Sequence, residues 1–447
     1  MFERNIIKEL EQWAVRNNRK PLILRGSRQV GKTSLVDEFG KKFEIYIKIN
    51  LENAEYIKLF DDYVNMETLL TGIFLTKEIS RRNVPTLIFI DEIQYSSRAV
   101  MLLRYFYEDY PDIHVIAAGS LLESMLCKNI SFPVGRVEYL AVRPCNFCEF
   151  LGAMGRTELE KVVREFSVPQ GLAIHSIIMD LFNTFSLIGG MPEIVANYAD
   201  NKDIVGLNRI YESLLTSYRD DVEKYAEKNT MSQVIRYILK NGWKYAAQRV
   251  TLGGFAESLY KAREMGEAFR TLEKTFVLEL CYPTTDCCVP VTQDLKRSPK
   301  LLWLDCGLVN YAAKLQKEVF GTKDILDAYR GKIAEQIVAQ ELLALDSRVS
   351  NVRNFWVREK NTSQAEIDFV LQFDGKVIPV EVKSGHNAHL KSLHLFMNET
   401  PHDIAVRVWS QPFSVDKVKT QAGKEFNLIN LPFYYLGILE KILEQYI

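Results

Sequence analysis

Apolar residues in the first part of the chain occur in short blocks rather than in long stretches. Five blocks are apolar and short enough to be strands: residues 22–24, 45–51, 86–90, 113–118 and 137–142. The segments between them have the spacing of amphipathic helices. Short apolar strands that alternate with helices are typical of a parallel sheet covered on both faces. The pattern therefore predicts an α/β domain at the N-terminus.

The pattern changes three times further along the chain. Helix follows helix up to residue 228, helices then mix with a short strand near residue 301, and a second α/β pattern begins after residue 310. This last part has a helix at 332–345 and strand candidates at 354–358, 366–373, 376–382 and 404–409. Asp374 and Gly375 separate two of these strands and are a strong hairpin signal. We expect four units, at residues 1–155, 156–228, 229–310 and 311–447.

Composition excludes some classes of function. The chain has 447 residues, of which 47% are hydrophobic and 25% charged, as in ordinary soluble proteins. Its 56 basic and 57 acidic residues nearly cancel, which argues against binding to DNA or a membrane through bulk charge. No apolar stretch approaches the roughly 20 residues that span a bilayer, and the N-terminus lacks a signal-peptide pattern. We expect a cytoplasmic protein with no membrane partner.

The seven cysteines do not form a metal-binding pattern. Cys145 and Cys148 are a lone C-x-x-C pair, whereas a structural zinc site needs a second pair of cysteines or histidines. We therefore expect reduced thiols, as is usual in a cytoplasm.

One glycine-rich segment carries a specific chemical signal. It fits the pattern G-x-x-x-x-G-K-[ST] and consists of Gly26, Ser27, Arg28, Gln29, Val30, Gly31, Lys32 and Thr33. Because the segment joins a strand to a helix, its backbone amides and the helix dipole can hold the phosphates of ATP. Lys32 would contact the β- and γ-phosphates, and the Thr33 hydroxyl would bind Mg²⁺. The segment predicts a P-loop.

Two acidic residues at the end of the third predicted strand complete this site. Asp91 and Glu92 directly follow the apolar residues 86–90. They should therefore lie at the carboxyl edge of the sheet, where ligands bind in open α/β folds. We expect Asp91 to hold Mg²⁺ and Glu92 to orient and deprotonate the attacking water.

Two further residues are candidates on weaker signals. Ser120 follows the fourth predicted strand and could bond to the γ-phosphate or to the attacking water. Arg136 precedes the fifth strand and could stabilise charge on the transferred phosphoryl group, within the subunit or across an interface. The alternative for Arg136 is an ordinary surface arginine.

These motifs resemble those of the AAA-type ATPases of a large bacterial and archaeal family. The resemblance rests on residues 26–33, 89–94, 118–120 and the Gly-Gly-Met-Pro-Glu sequence at 189–193. It implies that Ser120 senses the nucleotide, that a helical lid follows the sheet and that the strand order is 5-1-4-3-2. Cys145 and Asn146 replace the expected Leu-Ser, which should affect only packing. We interpret residues 189–193 as a turn between helices and assign it no chemistry.

A second set of charged residues lies in the last unit. Glu335 falls on the predicted helix and Asp368 on one strand of the hairpin. Glu381 and Lys383 fall on the other strand, two residues apart and therefore on the same face. Two carboxylates can bind Mg²⁺ or Mn²⁺, and a lysine beside them can activate water for attack on a phosphodiester. The alternative is a solvent-facing strand whose charges pair with neighbouring lysines.

This second set resembles the site of the PD-(D/E)XK, or restriction-endonuclease-like, nucleases. The resemblance implies that Asp368 and Glu381 bind metal, that Lys383 is catalytic and that Glu335 is a supporting acid. Residues 356–358, 366–370 and 381–385 also resemble the C-terminal domain that accompanies this ATPase family. The resemblance favours the fold more than cleavage, because a domain can keep its fold after losing activity. His386 and His389 lack a third ligand nearby, and we interpret them as surface residues.

The middle region has a basic helix followed by a basic loop, which is the layout of a winged-helix DNA-binding module. The helix carries Lys261, Arg263, Arg270 and Lys274, and the loop carries Lys296, Arg297 and Lys300. The acidic residues that dilute the charge of the helix are Glu264, Glu267 and Glu273. A helical connector with a mixed, solvated face is therefore an equal alternative.

The predicted fold is α/β, with a P-loop parallel sheet, a helical lid, a winged-helix-like middle region and a C-terminal restriction-endonuclease-like domain. Two functions remain open. In the first, ATP binding and hydrolysis control a metal-dependent nuclease domain that acts on DNA. In the second, the chain is a nucleotide-gated switch or scaffold whose inactive nuclease-like domain binds a protein or DNA. A homo-oligomer is compatible with both.

Overall fold

The structure is a computed structural model that describes residues 2–62, 64–119, 133–221, 229–315, 332–360, 363–383 and 390–447. Three of the residues singled out in the sequence, Ser120, His386 and His389, lie outside these ranges. The strands of the described residues form three sheets, of five, three and seven strands.

The first sheet consists of β1 (Leu22–Arg25), β2 (Ile45–Asn50), β3 (Thr86–Asp91), β4 (Ile113–Ala118) and β5 (Glu138–Ala141). Its order is β2-β3-β4-β1-β5, and all neighbouring strands are parallel. This confirms both the predicted parallel sheet and the order 5-1-4-3-2. Leu22 and Leu24 contribute to one hydrophobic core and Ile23 to another, because successive strand residues face opposite sides.

Five helices cover the two faces of this sheet. They are α1 (Ile7–Ala14), α2 (Lys32–Gly40), α3 (Ala54–Asp61), α4 (Met66–Leu75) and α5 (Ser97–Asp109). The apolar residues of α1 and α2 belong to one core, and those of α3, α4 and α5 belong to the other. The sheet is therefore buried on both sides, as its apolar strands predict.

Within the described residues up to 221, six helices follow the sheet without an intervening strand: α6 (Phe147–Ala153), α7 (Thr157–Glu165), α8 (Val168–Ala173), α9 (His175–Ile188), α10 (Pro192–Asn201) and α11 (Asn208–Asp220). Their buried aromatic and aliphatic residues join the core that also contains α1 and α2. The predicted succession of helices is therefore found.

The middle region contains α12 (Asn229–Asn241), β6 (Gln248–Arg249), α13 (Ala262–Lys274), β7 (Leu278–Cys281), β8 (Pro283–Thr284) and β9 (Lys300–Trp303). Strands β6, β9 and β7 form a small antiparallel sheet with β9 in the centre. β8 instead pairs in parallel with a strand of the C-terminal sheet. A boundary at residue 310 therefore does not separate the two sheets, because β8 precedes residue 310 but belongs to the C-terminal sheet.

The C-terminal part contains α14 (Cys306–Ala312), α15 (Lys332–Leu343), β10 (Asn354–Lys360), β11 (Ser363–Phe373), β12 (Lys376–Val382), α16 (Lys391–Glu399), β13 (Ile404–Trp409), β14 (Ser414–Lys419), β15 (Glu425–Pro432) and α17 (Leu439–Tyr446). The sheet order is β14-β15-β13-β12-β11-β10-β8. Asp374 and Gly375 form the hairpin between β11 and β12 with φ angles of 44° and 69°, as predicted. The sequence pattern missed β14, because this edge strand is polar and mostly exposed.

One continuous hydrophobic core runs from Ile6 to Leu443 and connects these parts. Polar contacts add to it: His175 on α9, for example, bonds to the Tyr434 hydroxyl at 3.0 Å. No helix within the described ranges combines the length and the apolar character needed to cross a membrane.

Candidate functional sites

The P-loop connects β1 to α2 in a shape that requires glycine at two positions. Gly26 has a φ of 148°, and a Cβ atom there would lie 2.3 Å from the carbonyl oxygen of Val142. Gly31 has a φ of 88° and is the N-cap of α2. Since α2 begins at Lys32, its first amides and the positive end of its dipole face the loop. This backbone arrangement suits a bound phosphate.

Lys32 points back into the loop and is 8% exposed. Its Nζ donates to the carbonyl oxygens of Gly26 and Ser27 at 2.8 and 2.7 Å. An ammonium group has three N–H donors, so a third is left for a phosphate oxygen. Burial lowers the pKa of Lys32 to about 8, and the carboxylates of Glu92 and Asp91 oppose this fall. Lys32 is therefore mostly charged at neutral pH.

The end of β3 brings Asp91 and Glu92 to the P-loop. Thr33 Oγ1 donates to Asp91 Oδ2 at 2.8 Å, so the hydroxyl and carboxylate expected to hold Mg²⁺ are neighbours. Glu92 lines the adjoining cavity, and the side-chain amide of Gln94 donates to its carboxylate. Burial raises the pKa of both acids. The two carboxylates thus differ in position: Asp91 contacts Thr33 and Glu92 faces the cavity.

A cavity of about 1180 Å³ adjoins these residues. Its other walls come from the N-terminal segment and the start of α10, namely Phe2, Glu3, Arg4, Ile7, Glu11, Pro192, Glu193 and Ala196. Ligand pockets in proteins usually measure about 300–1,000 Å³, so this cavity has enough volume for a ligand of the size of a nucleoside triphosphate.

The P-loop is also held by Tyr218 on α11 and by Asp221, which directly follows this helix. Arg28 pairs with Asp221 at 2.8 Å, and the Tyr218 hydroxyl donates to the carbonyl oxygen of Arg28 at 3.2 Å. From the N-terminal segment, Arg4 donates to the carbonyl oxygen of Val30 at 3.2 Å. The sequence analysis missed these supports, because a single charged or aromatic residue far from a motif carries no local signal.

Arg136 lies away from this site. It precedes β5 at the amino edge of the sheet, whereas the P-loop follows β1 at the carboxyl edge, and the two strands are parallel neighbours. Its guanidinium pairs with Glu108 at 2.9 Å and is 46% exposed. The interpretation that Arg136 acts within its own subunit is therefore corrected. The structure therefore does not place Arg136 beside the P-loop of its own chain.

The glycine turn between α9 and α10 does more than connect two helices. The N–H of Gly190 donates to Asp305 Oδ2 at 2.6 Å, and its carbonyl oxygen accepts from the N–H of Cys145 at 2.7 Å. A Cβ atom on Gly190 would lie 2.1 Å from the Cys145 carbonyl oxygen. Pro192, two residues further on, lines the nucleotide cavity. The Gly-Gly pair was the available signal for this close approach of two backbones.

Asp305 is fully buried and connects this turn to α15. Gln340 Nε2 donates to Asp305 Oδ2 at 3.3 Å, and Gln340 Oε1 accepts from the N–H of Cys306 at 2.9 Å. One turn earlier on α15, Gln336 bonds to the N–H and the carbonyl oxygen of Trp303 at 3.1 and 2.8 Å. Burial raises the pKa of Asp305 to about 6. α15 and the segment 303–306 are therefore held side by side by buried polar groups.

The charged residues of the C-terminal unit converge at the paired strands β11 and β12. The register places Asp368 opposite Glu381. Asp368 Oδ2 accepts from the N–H of Val382 at 2.7 Å, and Lys383 Nζ pairs with Glu381 Oε1 at 2.6 Å. Burial and the charge of Asp368 together raise the pKa of Glu381 to about 8, although Lys383 opposes this rise. Three of the four predicted residues are thus together.

Glu335, the fourth, joins them through an unexpected partner, Lys300. The Nζ atom of Lys300 lies 3.0 Å from Glu335 Oε2, 2.8 Å from Glu366 Oε1 and 3.6 Å from Asp368 Oδ1. Burial disfavours the charge of Lys300, but these three carboxylates raise its pKa. The expectation that Lys300 belongs to an exposed basic loop is therefore wrong: its side chain is 3% exposed. We call Glu335, Glu366, Asp368 and Glu381 the carboxylate cluster.

The carboxylate cluster does not fit a divalent metal ion in this arrangement. Among the residues that the structure describes, no group of three or more His, Cys, Asp or Glu side chains is placed to hold one. The ammonium of Lys300 lies among the carboxylates instead. One observation favours a cation: Glu381 Oε2 is buried and has no hydrogen-bond partner within the described ranges. A joint metal-binding role for Glu335, Asp368 and Glu381 therefore lacks support here.

The basic residues of α13 are exposed, as a nucleic-acid contact would require. They are Lys261, Arg263, Arg270 and Lys274. Glu267 is exposed among them, and in the following loop Arg297 pairs with Asp294 at 2.8 Å. The surface of α13 is therefore mixed in charge.

Comparisons with protein families assign three segments of the chain. Residues 18–151 match the family model of the AAA domain. Residues 179–319 match a domain of unknown function (DUF8612), and residues 330–434 match another (DUF4143). The match at 330–434 does not identify a nuclease. Among proteins of curated function, none matches the chain.

Solved structures with some likeness to the chain include the Walker-type ATPase PABY2304 of Pyrococcus abyssi, at 16% identity and a TM-score of 0.42, covering 70% of this chain and 96% of that one. PCH-2 of C. elegans has 12% identity and a TM-score of 0.28, covering 45% and 64%. The Aeropyrum pernix ORC1 protein, solved in complex with DNA, has 11% identity and a TM-score of 0.26, covering 70% and 93%. Such low values support no conclusion about this chain.

The parallel sheet, the P-loop and the family match agree on the N-terminal part of the chain. Its strands have the order expected from the motifs, and the matched residues contain both halves of the phosphate site. Residues 18–151 therefore match the AAA domain model and have the α/β fold of a P-loop nucleoside-triphosphate-binding domain.

Proposed function

We propose that this chain binds ATP with Mg²⁺ at the P-loop and hydrolyses it. The observation that carries this proposal is the hydrogen bond of 2.8 Å between Thr33 and Asp91, which unites the two halves of the site beside Lys32 and Glu92. Chance motifs would not bring a P-loop hydroxyl and a strand-end carboxylate into contact across 58 residues of sequence.

Each group then has a defined task. The amides at the start of α2 and the ammonium of Lys32 bind the phosphates, and Thr33 and Asp91 hold Mg²⁺. When bound, Mg²⁺ neutralises charge on the phosphate oxygens. Glu92 faces the cavity and orients the attacking water, and its pKa, raised by burial, makes it a better proton acceptor than an exposed glutamate.

Glu92→Gln tests the assignment of the base. We expect hydrolysis to slow by about 100-fold or more while ATP affinity stays within about threefold, because the amide keeps the shape of the side chain but cannot accept the proton. Phosphate release and binding of a fluorescent ATP analogue measure the two effects. Glu165→Gln, at an exposed glutamate on α7, is the matched control. Hydrolysis at the wild-type rate by Glu92→Gln would exclude Glu92 as the base.

We further propose that the nucleotide state is relayed to the C-terminal unit. Pro192 lines the cavity, Gly190 is bonded to Asp305, and Asp305 is bonded to Gln340 on α15. α15 also carries Glu335 of the carboxylate cluster. A shift of the turn at Gly190 would therefore displace Asp305 and, through Gln340, the helix α15 that carries Glu335. This makes the chain an ATP-driven switch.

A metal-dependent nuclease is the second candidate function, favoured by the convergence of Asp368, Glu381 and Lys383. DNA would be its substrate. The exposed basic residues of α13 offer a contact to DNA. A homo-oligomer would give Arg136 a nucleotide of another subunit to reach.

DNA cleavage separates the two candidates. We expect the wild-type chain, with Mg²⁺ or Mn²⁺ and with or without ATP, to leave plasmid and single-stranded DNA intact, because Lys300 lies among the carboxylates. Gel electrophoresis of both substrates is the measurement, with Lys383→Ala as the comparison variant. Metal-dependent nicking by the wild type that disappears in Lys383→Ala would establish the nuclease instead, and ATP hydrolysis should be the same in both chains.

A further inference from the structure

Lys300 reaches the carboxylate cluster from outside the C-terminal unit. It begins β9, the central strand of the small antiparallel sheet of the middle region, where its backbone pairs with Arg249 and Cys281. The cluster residues lie on α15 and on the hairpin of β11 and β12. The ammonium therefore comes from one sheet, and the carboxylates that surround it come from a helix and from a strand of another sheet.

The position of Lys300 is held by its surroundings. Three residues along β9, Trp303 is bonded through both its N–H and its carbonyl oxygen to Gln336, the residue after Glu335 on α15. The ammonium also lies 5.0 Å from the centre of the buried Phe355 ring, on the cluster side of β10. A lysine fixed by a strand, a helix and an aromatic ring is part of the core rather than a surface side chain.

Each carboxylate of the cluster has a lysine ammonium as a neighbour. Lys300 contacts three carboxylates, and Lys383 pairs with the fourth, that of Glu381. Carboxylates that are removed from water need a compensating charge nearby, and a buried ammonium needs the same. A divalent ion placed between Glu335 and Asp368 would lie next to the ammonium of Lys300, and the two cations would repel each other at this short distance.

We propose that Lys300 is a built-in cation that takes the place of a divalent metal ion in the carboxylate cluster, so that the cluster is an ionic joint between the middle region and the C-terminal unit. The ammonium of Lys300 then joins the middle region to the C-terminal unit, and the carboxylate cluster does not hold Mg²⁺ or Mn²⁺. The role of Lys300 is independent of ATP hydrolysis and concerns only the C-terminal carboxylates.

Lys300→Met tests this role, because methionine has a similar length and no charge. We expect the full-length variant, without nucleotide, to bind Mn²⁺ at least about tenfold more tightly than the wild type, since three carboxylates lose their cation. Titration followed by electron paramagnetic resonance measures free Mn²⁺. Mn²⁺ should also raise the melting temperature of the variant by more than that of the wild type. Lys376→Met, which removes an ammonium paired with Asp374 on the same hairpin, should behave like the wild type.

The wild-type chain provides a second test that does not depend on the folding of Lys300→Met. Asp368→Asn removes one carboxylate of the cluster, and we expect it to leave the Mn²⁺ affinity of the wild type unchanged. Tighter Mn²⁺ binding by the wild type than by Asp368→Asn would overturn the proposal. An unchanged Mn²⁺ affinity in a folded Lys300→Met chain would overturn it as well. ATP hydrolysis by Lys300→Met should persist, which separates this result from a failure of the P-loop assignment.

Discussion

Lys32→Ala should abolish ATP hydrolysis and weaken ATP binding strongly, with a fall of about 100-fold or more in turnover. The structure gives two reasons. The Lys32 ammonium is the cation buried inside the P-loop, so its loss removes the charge that faces the phosphates. It also removes the two bonds to the carbonyl oxygens of Gly26 and Ser27 that hold the loop in shape. Phosphate release and isothermal titration with ATP measure the two effects.

A matched substitution controls for general damage. Lys161→Ala changes an exposed lysine on α7 and should leave hydrolysis and ATP binding unchanged. Circular dichroism should show that both variants keep the secondary structure of the wild type. Turnover by Lys32→Ala at the wild-type rate would refute the assignment of the nucleotide site, whatever the fate of the C-terminal cluster.

Asp305→Ala should lower the free energy of unfolding by about 3–5 kcal/mol. The substitution leaves the N–H groups of Gly190 and Leu308 and the side-chain amide of Gln340 without their acceptor in a fully buried place. Desolvation of the buried Asp305 carboxylate costs free energy and raises its pKa to about 6. The substitution to alanine removes this cost. The lost bonds outweigh this relief, because three donors remain buried. Urea unfolding at pH 8, where the carboxylate is charged, is the measurement.

An exposed helix cap separates the local part of this effect from the long-range part. Asn53 is exposed and caps α3 by accepting from the N–H of Glu55 at 2.9 Å. Asp305 is buried and caps α14 in a similar way, by accepting from the N–H of Leu308. Asn53→Ala should cost about 1 kcal/mol. A loss for Asp305→Ala no larger than that for Asn53→Ala would mean that the bonds to Gly190 and Gln340 contribute little, and the proposed relay would lose its main support.

Much of the fold was predictable where the signal was periodic. The strands β1, β3 and β4 were predictable because strands that are buried on both faces are mainly apolar, and β12 and β13 have nearly the same character. β2 was predictable from its isoleucines at every second position. The hairpin was predictable because Asp374 and Gly375 readily adopt positive φ angles. The edge strand β14 was not predictable because it is mostly exposed, and the strands β6 and β8 were not because two residues are too few to form a pattern.

The residues of the candidate sites were likewise predictable where they lie close together in the sequence and unpredictable where they lie far apart. The sequence predicted that Asp368, Glu381 and Lys383 lie together, because they sit on the two strands of one hairpin. It assigned Lys300 to a basic loop, and lysines are seldom fully buried. It left residues 189–193 without a role, because the partner of Gly190 is 115 residues away.

The sequence by itself predicted the proposed nucleotide site, because eight consecutive residues specify a loop whose backbone amides and following helix are suited to phosphate. Only the tertiary structure decided which charges meet in the C-terminal unit. Lys300 lies on strand β9 and Glu335 on helix α15, 35 residues further along the chain. Only tertiary packing brings their charged atoms to 3.0 Å. A local motif is readable because its geometry follows from neighbouring residues, whereas a buried ion pair depends on the whole path of the chain between its partners.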